Sequence, residues 1–327
     1  MIRKLASLAV LTPGAPVPEV EERELIRDLA IRHFVLFRRH FQEEEASREL
    51  VRVLRTLPGE PGYLMVDQEG GRVQRIGPPL APEFPEPLTV ARKGPEEIRT
   101  FSRELARTVK QWSLSVNLAP VLDLAGEEAP DFLRGRTLGE NPEKVGELGR
   151  LFIRGHLEEG VLPCAKHFPG LGGVERDPHR ELPRKKEVSA ADLLPFREAL
   201  KEGLPLIMTT HLLVQEWGDY PVTFSPQAVK VLREELGFSG LVLTDDLAMG
   251  ALSSYELPER FLLALLSGHD LWLYCGNLPE ACSALEELAR EVSGSRVLRE
   301  RLAETVERVQ RRFSGLTVKI RYNRPTP

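Results

Sequence analysis

The sequence predicts an α/β protein folded as a (β/α)8 TIM-type barrel, and three observations support that fold class. Eight short apolar segments, each about one strand long, recur along the 327 residues. A longer amphipathic segment follows each of them, and strands that alternate with helices form parallel sheets. Polar residues stand directly after several apolar segments, which is where a barrel gathers its catalytic groups.

The strands are assigned to the apolar segments in chain order. Each is short and ends near a glycine, a proline or a charged residue. The assigned strands cover residues 5–11, 33–37, 63–66, 115–118, 161–165, 206–209, 241–244 and 270–273.

Helices are assigned where apolar residues recur with helical spacing between these strands. An open doubly wound sheet would normally show a glycine-rich phosphate loop after its first strand, and residues 11–16 (LTPGAP) do not form one. The predicted helices cover residues 19–30, 43–56, 95–111, 142–159, 190–202, 226–236 and 257–267, with two more at 279–292 and 297–313.

The length fits one barrel, so we predict a single catalytic domain over residues 1–315. No linker, repeat or low-complexity segment interrupts it. Residues 316–327 are basic and contain proline, and we predict a C-terminal tail there.

Composition and charge exclude several classes of protein. A hydrophobic content of 42% and a charged content of 28% are ordinary for a soluble enzyme. The net charge of −5 argues against a nucleic-acid partner or an anionic membrane surface. No segment has the roughly twenty apolar residues of a spanning helix. The apolar start lacks a small-residue cleavage site, so a buried strand explains it better than a signal peptide.

The three cysteines, Cys164, Cys275 and Cys282, have neither disulfide-like nor zinc-like spacing. Reduced thiols in a cytoplasmic protein explain them, and Cys164 and Cys275 stand where small buried side chains are expected. We expect a monomer or a weak homo-oligomer.

Residues 166–179 (KHFPGLGGVERDPH) are the most informative segment of the chain. They place Lys166, His167, Asp177 and His179 in one loop rich in glycine and proline. Asp177 and His179 are two residues apart, so the carboxylate can reach the imidazole and fix its tautomer, which makes a usable acid/base unit. The alternative is a polar surface loop without a chemical role.

Carboxylates also follow the predicted seventh strand. Neighbouring residues at a strand end point to opposite sides. Of Asp245 and Asp246, one is therefore expected to face the barrel axis as a nucleophile or ligand while the other caps the next helix or supports its neighbour; two capping acids are the alternative. No metal-binding spacing accompanies them, so we expect neither a metal nor another cofactor.

Residues 67–75 (DQEGGRVQR) place Asp67, Arg72 and Arg75 around a Gly-Gly turn. A carboxylate accepts paired hydroxyl hydrogen bonds from a sugar, and arginines donate to its oxygens, so a neutral, hydroxyl-rich ligand is predicted. Arg134 could add a donor, although surface ion pairs also explain Arg72 and Arg134. Other polar residues at predicted strand ends are Asp123 and His211.

Taken together, these segments resemble the glycoside hydrolase family 3 β-N-acetylglucosaminidases. The resemblance runs in order from about residue 5 to residue 255. The motifs that carry it are VLFRRHF (35–41), VDQEGGRVQR (66–75), NLAPVLDL (117–124), GRTLGENP (135–142), KHFPG with DPH (166–179) and LTDDLAMGAL (243–252).

The resemblance implies a barrel enzyme that removes terminal β-linked N-acetylglucosamine with retention of configuration, in bacteria on cytoplasmic muropeptide fragments during cell-wall recycling. It implies Asp245 as nucleophile, His179 as general acid/base and Asp177 as its partner. The residues it implies for holding the sugar are Asp67, Arg75, Arg136, Lys166 and His167.

The sequence departs from the family pattern at a few positions. Leu171 and Gly173 replace polar residues of the commoner PGHGD or PGHGxT, Pro178 replaces the serine of Asp-Ser-His, and Thr244 replaces a serine. Each proposed catalytic residue is present. The alternatives are a β-glucosidase, a phosphorylase using the same site, or a sugar-binding barrel that has lost turnover. The family members whose acid/base lies on a second domain fit less well, because the chain ends soon after the predicted barrel.

Overall fold

The structure, a computed structural model, describes residues 1–14, 16–60 and 62–319. Eight parallel strands form its centre. Each strand pairs with its neighbours in chain order from the first to the seventh, and the first also pairs with the eighth. These barrel strands are Ala9–Leu11, His33–Leu36, Leu64–Val66, Val116–Asn117, Leu162–Phe168, Leu206–Thr209, Leu241–Leu243 and Trp272–Tyr274.

The sheet closes between its seventh and eighth strands. A parallel bridge joins Leu243 to Leu271, and the Thr244 backbone N–H donates to the Leu271 carbonyl at 3.1 Å. The Thr244 hydroxyl in turn accepts from the Leu273 N–H at 2.9 Å. The predicted (β/α)8 barrel is therefore confirmed.

The helices surround the barrel and begin and end at residues with clear local reasons. Asn141 caps the helix Pro142–Glu159 by accepting from the Lys144 N–H at 2.8 Å. Gly160, with a φ of +79°, ends that helix in the left-handed region. The helices are α1 Ile2–Ala6, α2 Val20–Leu29, α3 Glu44–Thr56, α4 Pro87–Lys93, α5 Pro95–Gln111, α6 Pro142–Glu159, α7 Ala190–Leu200, α8 Pro226–Lys230, α9 Leu257–Ser267, α10 Leu278–Gly294 and α11 Arg296–Lys319.

The prediction for the first strand was partly wrong. Residues 2–6 form the short helix α1, and only Ala9–Leu11 pair as a strand. Leu5 and Ala6 are nevertheless fully buried. A short buried apolar segment looks the same in a sequence whether it forms a strand or one helical turn.

The fifth strand is longer than predicted and extends through Phe168, which pairs with Thr209 of the sixth strand. Lys166 and His167 therefore lie on the barrel itself, and the glycine- and proline-rich segment begins only at Pro169. Two of the candidate side chains are thus held by the sheet, while Asp177 and His179 lie on the loop that follows.

Several elements were not predicted. The strands Gln68–Gly70 and Val73–Gln74 form a small hairpin after the third barrel strand, and Arg184–Lys185 pairs with Leu213–Val214. Helix α4 was also missed, and a π-helical turn at Val231–Glu235 continues α8.

The predicted tail begins inside α11, which continues to Lys319, and residues 320–327 lie outside the described residues. No helix in the described part of the chain is long and apolar enough to cross a membrane.

Candidate active site

A cavity of about 660 Å³ opens beyond the carboxyl ends of the barrel strands. Side chains from the third, fifth and seventh strand ends border it, together with the loop after the fifth strand. The eight residues for which the sequence predicted a role all lie on its walls: Asp67, Arg75, Arg136, Lys166, His167, Asp177, His179 and Asp245.

A buried group of charges lies on one wall of this cavity. The Lys166 ammonium is 2.7 Å from Asp67 Oδ1 and 2.7 Å from Glu69 Oε1. Arg136 donates from Nε and Nη2 to the two Glu69 oxygens, each at 2.8 Å. Arg75 Nη2 lies 3.6 Å from Asp67 Oδ2. Three cations therefore share two carboxylates.

This arrangement keeps each of these groups charged. Burial raises the pKa of Asp67, but the charges of Lys166 and Arg75 outweigh it, and the net pKa lies below its ordinary value. Burial likewise opposes ionisation of Glu69, whose pKa Arg136 and Lys166 hold well below its usual range. Burial lowers the pKa of Lys166, yet Asp67 and Glu69 raise it to a net value above the ordinary one.

A buried carboxylate orients His167. Its Nδ1 lies 2.6 Å from Oδ2 of Asp123, a fully buried residue, and Asp123 Oδ1 accepts from the Leu171 N–H at 2.7 Å. Because a carboxylate only accepts, this contact assigns the proton to Nδ1. The other ring nitrogen, Nε2, is then the one available to the cavity.

Asp245 directly follows the seventh strand. Its backbone N–H donates to the Thr209 carbonyl at 3.1 Å, and its Oδ1 accepts from the Asp246 N–H at 2.8 Å. Burial raises the pKa of Asp245, but the nearby His167 and His211 outweigh burial, so the pKa falls below its ordinary value. A half-buried carboxylate that stays ionised at neutral pH is suited to nucleophilic attack.

Its neighbour Asp246 has a different role. Asp246 Oδ1 accepts from the backbone N–H groups of Ala248 and Cys275, each at 2.9 Å, so it closes the turn after the strand. Burial raises its pKa above the ordinary value. The division of roles predicted for the two carboxylates fits this geometry, although both of them border the cavity.

Asp177 and His179 are paired on the loop after the fifth strand. His179 Nδ1 lies 2.6 Å from Asp177 Oδ1, which also accepts from the His179 backbone N–H at 3.0 Å. Burial raises the pKa of Asp177, but these bonds outweigh it and the net pKa is lowered. The His179 side chain is 61% exposed, so its Nε2 remains accessible to a ligand.

The loop is docked against the segment after the seventh strand. The Gly250 N–H donates to the His179 carbonyl at 3.1 Å, and the Ala251 N–H donates to the Pro178 carbonyl at 3.3 Å. A Cβ on Gly250 would come within 2.8 Å of the carbonyl oxygens of both His179 and Arg180. The loop and the segment after the seventh strand therefore approach each other more closely than a side chain at this position would allow.

The departures from the family pattern have structural consequences. Leu171 is almost fully buried and packs in an apolar cluster with Val174 and Phe132 beneath the loop. Pro178 is buried as well, whereas Gly173, with a φ of +72°, has open space around it. Leu171 is thus an apolar anchor at the start of the loop.

Other residues named from the sequence lie around the site in different roles. Arg134 pairs with Asp131 on the surface at 3.0 Å, which is the simpler of the two explanations offered for it. Arg72 borders the cavity and donates to the Asp131 carbonyl. His211 is buried and contacts the Asp246 carbonyl at 2.8 Å. Cys164 is buried as predicted, but Cys275 is only half-buried and borders the cavity.

The roles of two acids were not predicted from the sequence. Glu69 was not singled out, and Asp123 was noted only as a polar residue at a strand end. The spacing of Glu69 from Asp67 was the available signal, because residues two apart in an extended segment point to the same side. Among the described residues, no group of three or more His, Cys, Asp or Glu side chains is arranged to hold a metal ion.

Comparison with protein families identifies the source of these motifs. The family model described as glycosyl hydrolase family 3 N terminal domain matches residues 2–312. A β-hexosaminidase of Tolumonas auensis is 34% identical over 281 residues, which is 83% of each chain. A β-hexosaminidase of Alkalilimnicola ehrlichii is 36% identical over 278 residues, 81% of this chain and 79% of that protein.

Solved structures agree with the sequence comparison. A family 3 β-N-acetylglucosaminidase from Paenibacillus sp. str. FPU-7 superposes with a TM-score of 0.88 and 27% identity over all of this chain, which spans 64% of that chain, less than two thirds of its length. NagZ from Neisseria gonorrhoeae, solved with N-trifluoroacetyl-D-glucosamine, superposes with a TM-score of 0.74 and 26% identity, covering 92% of this chain and 97% of that one.

Proposed function

The chain belongs to glycosyl hydrolase family 3, and from that premise we propose that it is an exo-acting enzyme that removes terminal β-linked N-acetylglucosamine with retention of configuration. The broader activity follows from its relatives: it is a glycoside hydrolase that acts on N-acetylhexosaminides. The finer proposal concerns which residues perform the reaction and on which substrate.

In the first step, the Asp245 carboxylate attacks the anomeric carbon while His179 Nε2 donates a proton to the departing glycosidic oxygen. A covalent glycosyl-enzyme forms and the leaving group departs as a neutral alcohol. In the second step, His179 takes a proton from water, the water oxygen attacks the anomeric carbon, and the bond to Asp245 breaks. Two displacements at the same carbon return the β-configuration.

The charge states of the three residues support these roles. The lowered pKa of Asp245 keeps its carboxylate ionised, as a nucleophile requires. Asp177 accepts from His179 Nδ1 at 2.6 Å and would stabilise the imidazolium form that exists before the proton is given and after it is taken.

The sugar is proposed to lie against the buried charges of the opposite wall. Asp67 can accept from sugar hydroxyl groups, and Lys166, Arg75 and Arg136 can donate to sugar oxygens. His167 Nε2 can accept from a sugar hydroxyl, because its Nδ1 carries the proton that faces Asp123. The single observation that carries the proposal is that these five residues border the same cavity as Asp245 and His179.

Product analysis tests the proposed activity. An aryl β-N-acetylglucosaminide should be hydrolysed at least about a hundredfold faster than the matching aryl β-glucoside, and added inorganic phosphate should yield no sugar 1-phosphate. Faster turnover of the glucoside would indicate a β-glucosidase. Formation of N-acetylglucosamine 1-phosphate would indicate a phosphorylase, which the imidazole allows because it repels phosphate less than a carboxylate does.

We further propose that the natural substrates are muropeptide fragments in the cytoplasm. Exposed Arg39 and Arg72 lie at the edge of the cavity, where they can meet the carboxylates of such fragments. The free cysteines fit a reducing compartment. Release of N-acetylglucosamine from a disaccharide-peptide should therefore exceed release from chitobiose at equal concentration, and equal rates would count against a cell-wall substrate.

A further inference from the structure

Glu69 contacts two residues of the proposed sugar site without bordering the cavity itself. Its side chain is 1% exposed. Oε1 accepts from Lys166 Nζ at 2.7 Å and from Arg136 Nη2 at 2.8 Å, while Oε2 accepts from Arg136 Nε at 2.8 Å. Both cations do border the cavity, so Glu69 stands directly behind them.

The local backbone explains why this carboxylate reaches that position. Asp67 and Glu69 are two residues apart in an extended segment and point to the same side, while Gln68 between them points away. The Gln68 side chain accepts from the backbone N–H groups of Arg75 and Ile76 at 3.1 and 3.0 Å. A Cβ on Gly70 would meet the Pro85 carbonyl at 2.6 Å, so the turn after Glu69 is tightly enclosed.

The charges of Lys166, Arg75, Arg136 and Asp67 on this cavity wall are nearly balanced only because Glu69 is present behind them. Lys166, Arg75 and Arg136 give three positive charges, and Asp67 and Glu69 give two negative ones, which leaves +1. Removing the charge of Glu69 would leave +2 in a buried group. Like charges at such short distances repel strongly in surroundings of low dielectric. The repulsion would disfavour the protonated form of Lys166.

We propose that Glu69 is a positioning residue that holds Lys166 and Arg136 as a fixed pair of donors facing the sugar. This inference rests on the proposed function, in which those two cations bind the substrate. An ammonium has three N–H donors and a guanidinium has five. Lys166 uses two on Asp67 and Glu69, and Arg136 uses two on Glu69 and one on the Phe132 carbonyl. One donor of Lys166 and two of Arg136 therefore remain for sugar oxygens.

The test is the variant Glu69→Gln, which keeps the shape of the side chain and removes its charge. We expect kcat/KM for an aryl β-N-acetylglucosaminide to fall about thirtyfold to a thousandfold. Most of this loss should appear as a higher KM, because Lys166 and Arg136 bind the sugar in the ground state. Circular dichroism and the melting temperature establish that the variant is folded.

The pH dependence of sugar binding separates positioning from simple structural support. Turnover also requires His179 to donate a proton, so the measurement is the affinity for the product N-acetylglucosamine, whose binding involves no proton transfer. Lys166 must be protonated to bind, so this affinity is lost as the pH rises through the pKa of Lys166. Glu69 helps to hold that pKa above its ordinary value, against the effect of burial. In Glu69→Gln the alkaline loss of affinity should therefore move to lower pH. Glu69→Asp, which keeps the charge, should return it to the wild-type position while kcat/KM stays reduced severalfold.

Glu49→Gln is the matched control. Glu49 also makes a two-bond pair with an arginine, Arg52, but on the exposed surface of α3. Its kcat/KM and pH profile should equal those of the wild type.

The outcomes distinguish this inference from the proposed function. A wild-type enzyme without turnover of the N-acetylglucosaminide contradicts the function. An active wild type with an unchanged Glu69→Gln overturns the role of Glu69. So does a weakened Glu69→Gln whose affinity for N-acetylglucosamine is lost at the same alkaline pH as in the wild type. If Glu69→Gln does not fold, Glu69→Asp decides, because a wild-type kcat/KM in that variant overturns the proposal.

Discussion

At the level of single residues, Asp245 and Asp246 show how surroundings separate two chemically identical neighbours. Both are half-buried, and burial alone raises the pKa of each. For Asp245 the nearby histidines His167 and His211 reverse the effect, whereas for Asp246 the bonds from Ala248 and Cys275 do not. The first is therefore suited to attack and the second to closing a turn.

The Asp177–His179 pair gives a prediction at this scale. His179→Ala should lower kcat about 10²- to 10⁴-fold on poor leaving groups, the usual contribution of a general acid/base. With a good leaving group, deglycosylation should slow more than glycosylation, and azide should restore part of the rate. The double variant Asp177→Asn/His179→Ala should lose little more than His179→Ala alone, because the two residues act as one unit.

Glu181→Gln is the control for that cycle, since Glu181 lies on the same loop and pairs with exposed Arg176. It should keep wild-type rates. Steady-state and pre-steady-state kinetics supply the comparison, and a double variant whose loss equals the full product of the single losses would show that the residues act independently.

Individual site residues were predictable where the chemistry is carried by a motif. Lys166, His167, Asp177, His179 and Asp245 were named from their neighbours in the sequence, and the structure brings them to one cavity. Glu69 was not named and Asp123 was noted only as a polar residue at a strand end, because their partners are distant in the chain. Asp123 meets His167 across 44 positions and Glu69 meets Arg136 across 67, and a sequence does not state such contacts.

At the level of elements, the docked loop gives the next prediction. Gly250→Ala would place a methyl group within 2.8 Å of the carbonyls of His179 and Arg180, so the loop has to shift. We expect kcat to fall about tenfold or more, because a displacement of about 1 Å at a catalytic group costs up to about a hundredfold. The fold should persist, since Gly250 lies outside the barrel strands.

Gly294→Ala is the control glycine substitution, because nothing lies within 4 Å of the added methyl at the end of α10. Kinetics on the aryl substrate and thermal unfolding of both variants make the comparison. A Gly250→Ala enzyme with wild-type kcat would show that the contact between the two segments does not position His179.

The elements themselves were predictable to different degrees. The strands at residues 206–209 and 241–244 were assigned within a residue of their observed bounds because each is a compact apolar segment between turn residues. The fifth strand was cut short because Lys166 and His167 interrupt its apolar pattern. Charged side chains can occupy a buried strand only when distant partners pair with them, and those partners were not visible in the sequence.

At the level of the whole molecule, the helices of the outer layer are joined by ion pairs. Arg154 and Arg150 of α6 contact Glu202, which follows α7, at 2.8 and 3.0 Å. The equivalent contacts between α5 and α6 join Arg99 to Glu158 at 2.8 Å and Arg103 to Glu159 at 2.9 Å. Partly exposed pairs of this kind contribute little singly and more as a network.

Glu202→Gln should lower the melting temperature at pH 7 by roughly 1–3 °C, corresponding to about 1 kcal/mol for a pair network near the surface. The bonds from Arg154 lower the pKa of Glu202, against the opposing effect of burial. The pKa of Glu202 is ordinarily 4.5, the value expected in the unfolded chain, and it is lower in the folded protein. The ionised carboxylate therefore stabilises the folded protein at pH values above 4.5, and that stability is lost as the pH falls through the folded-state pKa.

The difference in melting temperature between wild type and Glu202→Gln should therefore narrow on acidification below pH 4.5, and it should also shrink in high salt. Thermal unfolding at several pH values measures both. A difference that is constant across pH and salt would mean that Glu202 acts by packing and not by charge.

The architecture of the whole molecule was the most predictable feature. Eight apolar segments separated by helical ones leave few alternatives to a barrel, and the carboxyl ends of its strands meet at one rim whatever the loops do. What the sequence did not predict is how the loops are held against that rim, since those contacts join backbone atoms of Gly250 and His179 far apart in the chain.

The proposed mechanism depends on a covalent bond between Asp245 and the sugar during turnover. A fluorinated N-acetylglucosaminyl fluoride forms such an intermediate quickly and releases it slowly, so mass spectrometry of the intact protein and of its peptides can observe it. We expect a gain in mass of one fluorinated sugar, located on the peptide that contains Asp245 and absent from Asp245→Asn. An enzyme that hydrolyses the aryl N-acetylglucosaminide yet gains no adduct, or gains it on another residue, would show that Asp245 is not the nucleophile.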